Sequence, residues 1–215
     1  RARGATRGVA RGAGRGLLAL AADPAIVEAA RALPPEATEH LAEILWDPEL
    51  APHHPNAILA LGMSGHPGSY ETLVAYPLPL QGEVSRQTYR ALIALQTAMG
   101  HLGRQDERAV TWLIERLANP DPDPAFSFRA LRGPRLAREL RAQATAAIAL
   151  SGSMRARDTL LELRAERQAR SLSAVSLSPA TLDKALEQLD RIRTEGPERV
   201  LTSPFSSSRR AEGVR

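Results

Sequence analysis

Apolar positions recur at helical spacing along the chain, in short runs punctuated by proline and glycine. Asp23-Pro24 reads as an N-cap followed by a first-turn proline, opening a helix to about Leu33. Pro34-Pro35 closes it and starts another, with Leu41, Ile44, Leu45 and Trp46 as its apolar stripe. "DPELAPHHP" reads as a connector. A short Ala/Leu helix follows from Asn56 to about Met63, then a glycine-rich corner and a partner helix from Ser69 to about Tyr76. "PLPLQGE" breaks the chain again. Ser85 or Arg86 to Leu102 and Asp106 to Ala118 form the next pair. "NPDPDPAFSFRALRGP" reads as a long loop or partly ordered insertion. Leu136 to Leu150 and about Ala156 to Arg170 make a further pair, and Ser178-Pro179 opens a last amphipathic helix carrying Leu182, Leu186, Leu189 and Ile192 on one face. No window alternates as a strand does, so the predicted class is all-α.

The pairs share one plan. "AILALGMSGHPGSYETLVAY" at Ala57, "ALIALQTAMGHLGRQDERAVTWLIERL" at Ala91 and "ATAAIALSGSMRARDTLLELRAE" at Ala144 each hold an Ala/Leu helix, a glycine corner and a second helix opening on polar residues. The corner glycines Gly65, Gly103 and Gly152 stand 38 and 49 residues apart, the longer step containing the Phe126/Phe128 insertion. A helix–turn–helix period near 40 predicts a stacked α-solenoid, in which neighbours bury the face that no single pair can bury alone.

The corner Ala60-Leu61-Gly62-Met63-Ser64-Gly65-His66-Pro67-Gly68-Ser69, with Leu73 after it, resembles the short bacterial HEAT-like repeat also found in phycobilisome lyases. His66 and Ser69 replace that pattern's aspartate and alanine. The second copy gains about two residues at its corner, and the third keeps Ala149, Leu150 and Gly152 but lacks the proline. The resemblance covers about Asn56 to Arg170, and a degenerate pair at 23–46. It implies a HEAT-like α-solenoid over 17–201, with repeat cores at about 56–78, 86–120 and 134–170 and a capping helix at 178–193. It also implies a protein-binding surface more than an enzyme.

Charge is unevenly placed. The chain carries 27 arginines against one lysine, Lys184, as coding from a GC-rich genome would give. Residues 1–22 hold five arginines and no acid, whereas Asp23 to Leu201 holds 20 bases and 23 acids. The net charge of +4 therefore resides in the tails. That makes nucleic acid an improbable partner for the body, leaving tail-borne association as an alternative. Residues 1–16 read as a disordered Arg/Gly-rich arm and 202–215 as a disordered tail. A first residue of Arg1 is expected of a fragment or processed chain. No run approaches the roughly 20 apolar residues of a membrane span, so a soluble and preferably cytoplasmic protein is expected.

Candidate chemistry is sparse. Gly62, Gly65 and Gly68 suggest a phosphate cradle, but no lysine follows to meet a phosphate and no strand precedes. They read instead as a turn: Gly62 or Gly65 in a left-handed cap, Pro67 forbidding continuation, Ser69 capping the second helix. No cysteine is present, which excludes thiolate chemistry. Of the five histidines, His40 lies near Glu36, Glu39 and Glu43, and His53-His54 sits in the connector. The His-Glu dipeptides of di-iron HEAT-repeat hydroxylases do not occur, only the reversed Glu39-His40. Surface or capping roles are expected for the histidines, with no metal, cofactor or catalytic residue.

Trp112 stands apart. Val110, Leu113, Ile114 and Leu117 form the stripe of its helix, and Trp112 points almost opposite, among Arg108, Thr111 and Glu115. It is either an exposed partner anchor or packed under the Phe126/Phe128 loop or a neighbouring repeat; packing is preferred, because solenoid helices often bury two faces. The expected function is a non-enzymatic protein-interaction scaffold, binding another protein through Tyr70, Arg108, Trp112, Arg116 and Arg157 on the second helices. The alternative is an accessory protein or enzyme of the phycobilisome-lyase-like type, with a pocket in the concave face.

Overall fold

The computed structural model describes residues 24–118, 121, 123–169, 177–196 and 200. The arm at 1–16 and the tail at 202–215 lie outside them. Among the described residues there are nine α-helices: α1 (Pro24–Arg31), α2 (Pro35–Trp46), α3 (His54–Ser64), α4 (Ser69–Ala75), α5 (Arg86–Leu102), α6 (Glu107–Ala118), α7 (Pro134–Ile148), α8 (Met154–Ala169) and α9 (Pro179–Glu195). Proline in the first turn opens α2, α3, α7 and α9, where its missing N–H is no loss. Ser85 and Ser178 cap α5 and α9 alike, each accepting from the backbone N–H three residues on.

The odd-numbered helices pack in sequence, α1 on α3, α3 on α5, α5 on α7 and α7 on α9, and the α3–α5 contact is the most extensive. Helix α2 packs on α3, α4 on α3 and α5, α6 on α5 and α7, and α8 on α6 and α9. Every residue of α5 from Ala91 to Leu102 is buried. A helix enclosed all round belongs at the centre of a core rather than on its surface.

Two glycines set the spacing of that core. A Cβ on Gly62 would stand 2.5 Å from the Cα and Cβ of Ala98, and one on Gly100 would run into the carbonyl of Ala147 and stand 3.2 Å from the Leu150 Cβ. The four-residue corners Gly62–Gly65, Gly100–Gly103 and Ala149–Gly152 correspond. Ala98 and Ala147 each lie two residues before the corner of the following unit. The same close approach thus recurs from the first unit to the second and from the second to the third. Ion pairs on the even-numbered helices follow suit. Glu71 of α4 meets Arg108 of α6 at 2.5 Å, and Glu107 of α6 meets Arg155 of α8 at 3.7 Å, both arginines being the second residue of their helix.

The corners refine the expected turn. Gly65 and Gly152 are left-handed, with φ of 67° and 65°. In both, the serine just before donates to the carbonyl three residues back, Ser64 to Leu61 and Ser151 to Ile148. Gly103 instead keeps φ of −59°, because its N–H bonds to the Met99 carbonyl and the two extra residues carry the turn. Gly62 lies inside α3, and Gly68, with φ of 87°, occupies the N-cap of α4. Ser69 is not the cap. It is wholly buried as the first helical residue, and its Oγ has no partner among the described residues.

Other departures concern breaks and histidines. Gly82–Glu83 (β1) and Phe126–Ser127 (β2) form a short parallel ladder, which ties the break after α4 to the insertion after α6. Phe128 beyond it is buried and stacks on Tyr89, with centroids 4.2 Å apart and planes at 6°. Alternation over two residues is too short to register in sequence. His54 opens α3 rather than lying in a connector, and it is buried with His101. Its Nε2 lies 3.0 Å from the Asp47 carbonyl and its Nδ1 3.0 Å from the Tyr76 hydroxyl. A carbonyl can only accept, so Nε2 carries a proton, and in the neutral imidazole Nδ1 accepts from Tyr76. Burial pushes the Tyr76 pKa up to about 12. His40 is exposed and pairs with Glu43 at 3.0 Å.

Arg108 yields a prediction about acid stability. Its guanidinium contacts Asp106 and Glu71 and lies 4.6 Å from the Tyr70 centroid. Hydrogen bonding from Arg108 lowers the Asp106 pKa; the Glu71 carboxyl is lowered by its own backbone N–H and then by Arg108. Depressed carboxylates stabilise the fold above their unfolded pKa and lose that contribution as pH falls through the folded one. Arg108→Ala should therefore lower the urea midpoint slightly at pH 7, the gap to wild type closing below about pH 4. A gap that is constant down to pH 2 would show that these pairs contribute nothing.

Candidate functional site

Three helices present one face each to a common cavity of about 640 Å³. Leu92, Leu95 and Gln96 come from α5, Trp112, Glu115 and Arg116 from α6, and Ala137, Leu140 and Arg141 from α7. Each trio has i, i+3, i+4 spacing, which puts its members on one side of a helix. The break after α4 adds Pro77, Leu78 and Leu80, and the segment leading into β2 adds Asp121, Pro124, Ala125 and Phe126. The β1–β2 ladder holds these two segments together across the cavity's edge. A concave, mostly apolar space with a few polar groups is the usual form of a binding site.

Trp112 is a wall of this cavity and not an exposed anchor: it is only 7% exposed. Helix α6 packs on both α5 and α7, so the side opposite Leu113 is covered as well. The guanidinium of Arg116 lies over the indole, 4.0 Å from its centroid. Arg141 donates from Nε to the Leu117 carbonyl at 2.8 Å, satisfying one of the acceptors that the end of α6 leaves open. Burial pulls the Arg141 pKa below the usual arginine range.

Of the five expected interaction residues, the structure brings Tyr70 and Arg108 together and Trp112 and Arg116 together. Arg157 pairs instead with Asp190 of α9 at 2.8 Å. Sequence reasoning missed Gln96. It is 4% exposed, and its Oε1 is buried with no hydrogen bond among the described residues. Leaving such an acceptor unmet costs roughly 1–3 kcal/mol, whereas an apolar side chain of similar shape there would not. The signal was present in "ALIALQTAMGHL", where a lone glutamine interrupts an apolar run. Leu78, on the rim, is 74% exposed, the most open of the large apolar side chains described.

Among the described residues, no group of three or more His, Asp or Glu side chains is placed to hold a metal ion, and no helix is long and apolar enough to cross a membrane. No protein-family model, curated protein or solved structure matches the chain.

Proposed function

We propose that this chain is a short HEAT-like α-solenoid that acts as a non-enzymatic protein-interaction scaffold, with its binding face at the junction of the second and third helical pairs. The solenoid reading is supported by the recurring register: Gly62 on Ala98 and Gly100 on Ala147, Glu71 to Arg108 and Glu107 to Arg155. In a stacked array each unit contacts its neighbours in one repeated way. The single observation that carries the binding role is the apolar cavity walled by Trp112 and rimmed by Leu78 and Arg116. Its four charged side chains are two arginines and two acids, and the body is net acidic, which disfavours a polyanionic partner.

Two rim substitutions test the assignment, and their thermal midpoints separate lost binding from lost folding. A partner retained by the immobilised wild-type chain should be lost with both Leu78→Asp and Arg116→Glu, while the thermal midpoint of each variant stays within a few degrees of wild type. Retention of every partner by both variants would contradict it.

A further inference from the structure

We propose that the opening turns of α5 and α7, with the turn between β2 and α7, form a docking surface for a short acidic peptide segment of a partner protein, received by Arg86, Arg90, Arg129, Arg132, Arg135 and Arg138. The inference goes beyond the scaffold reading, since none of the six lines the cavity. Residues 82–90 and 126–139 hold these six arginines against two acids, Glu83 and Glu139. The fold joins the two stretches. Gly82–Glu83 pairs with Phe126–Ser127, and Phe128 stacks on Tyr89, which lies between Arg86 and Arg90 in the chain. Burial, and after it the Glu139 charge, pushes the Tyr89 hydroxyl above its usual range, so the second turn of α7 lies near the start of α5. With Gly100 against Ala147 at their other ends, the two helices run the same way and open side by side. Their positive ends add to the field of the arginines.

All six side chains are exposed, and none forms an ion pair among the described residues, whereas Arg108, Arg155, Arg157, Arg164 and Arg191 each do. Glu139 is itself occupied, accepting from the Gln143 amide at 3.2 Å. Like charges so gathered repel one another, a cost that an acidic ligand removes. The backbone adds a second observation. Among the described residues Arg129 alone has a positive φ without being glycine, at 54°. Phe128 and Leu131 exchange both backbone hydrogen bonds at 2.9 Å across it, and its guanidinium lies 5.3 Å from the Phe128 centroid. Glycine would hold that conformation without strain. Arginine in its place points to a side chain retained for contact, because strained backbone collects at ligand clamps.

The surrounding charge sets the length of the partner. Outside these two stretches, Asp23 to Leu201 carries 14 bases and 21 acids. A nucleic acid or an anionic membrane would extend past the arginines onto that acidic surround, whereas a segment of a few Asp or Glu residues ends within them. The aromatic rings at the site, Tyr89 and Phe128, are both buried, so no base can stack on them. Carboxylates match the planar fork of a guanidinium two hydrogen bonds at a time.

The test titrates a fluorescein-labelled peptide, Gly-Glu-Glu-Gly-Glu-Glu-Gly-amide, into the full chain at low salt and follows anisotropy. Its lysine counterpart, a DNA duplex and phosphatidylserine vesicles run alongside. The glutamate peptide should bind saturably and the lysine peptide should not. The double variant Arg132→Glu/Arg135→Glu should weaken glutamate-peptide binding at least about fivefold and Arg129→Gly at least about threefold, while Arg193→Glu on α9 changes it less than about twofold. Arg129→Gly should also keep or raise the thermal midpoint, since it removes the strain, which separates lost contact from lost folding. Peptide binding that is absent, unchanged in the patch variants or equally weakened by Arg193→Glu would overturn the inference. So would DNA or vesicle binding that the patch variants weaken more than they weaken peptide binding.

Discussion

Gly62→Ala should destabilise the protein by about 2 kcal/mol, even though alanine is the better helix former. Within a helix the exchange would ordinarily gain about 0.5–1 kcal/mol, from lower backbone entropy in the unfolded chain. At Gly62 the added methyl meets the Cα and Cβ of Ala98 at 2.5 Å. That obstacle is backbone, not the tip of a side chain that can turn away, so α3 and α5 must separate along their whole contact. Overpacking of this kind costs about 1–3 kcal/mol, and more when helices must move. For a chain of this size a net loss near 2 kcal/mol lowers the thermal midpoint by roughly 4–8 °C. Gly100→Ala should behave alike against the Ala147 carbonyl. Two other glycines calibrate the effect. Gly68→Ala has nothing within 4 Å but keeps φ of 87°, so it isolates backbone strain at about 1 kcal/mol. Gly103→Ala, with ordinary φ, meets a terminal methyl of Val110 at 2.9 Å and should cost less than Gly62→Ala. In a stacked array, Gly62→Ala should also loosen α1–α4 while α7–α9 keep their hydrogen-exchange protection. Uniform loss along the chain would speak against independent interfaces.

Trp112→Ala should cost more, about 3 kcal/mol. Large aromatic truncations in cores cost about 3–5 kcal/mol, and the lower end applies because one side of the ring already borders a cavity. Part of the loss is the Arg116 stack, at about 0.5–1 kcal/mol. The competing picture, an exposed partner anchor, predicts a change within about 0.5 kcal/mol. Urea midpoints of wild type, Trp112→Phe and Trp112→Ala separate the two: a graded loss marks a wall residue, and three equal midpoints mark an anchor.

These two residues also show how far the sequence reaches. Helix bounds followed local rules closely, because proline in the first turn, serine caps and glycine corners act within a few residues: α5 was expected from Ser85 or Arg86 to Leu102 and runs Arg86–Leu102. What covers a helix face is set by parts of the chain outside that helix. Spacing sets the direction of Trp112 relative to its stripe, but direction alone does not say what shares that side; α7 and the segment entering β2, both beyond the end of its own helix, line the cavity with it. The β1–β2 ladder and the Phe128–Tyr89 stack join segments about 40 residues apart, and short-range patterns carry no trace of them. Gln96 was legible as an exception within "ALIALQTAMGHL", although its burial follows from α5 being enclosed all round. Glycine roles split the same way. Gly65 and Gly152 answer to local turn geometry, whereas Gly62 and Gly100 answer to helices in the next unit.

The central claim, that units stack in one repeated register, is tested most directly by crosslinking on the cysteine-free chain. Cysteine pairs replace Glu71 with Arg108, Glu107 with Arg155, and, as a mismatched control, Glu71 with Arg155, and each is treated with a short bis-maleimide. The account predicts efficient intramolecular crosslinks for the first two pairs and little for the third, read by mass spectrometry of the digested monomer. Equal yields in all three pairs, or crosslinking only in the mismatched one, would contradict it.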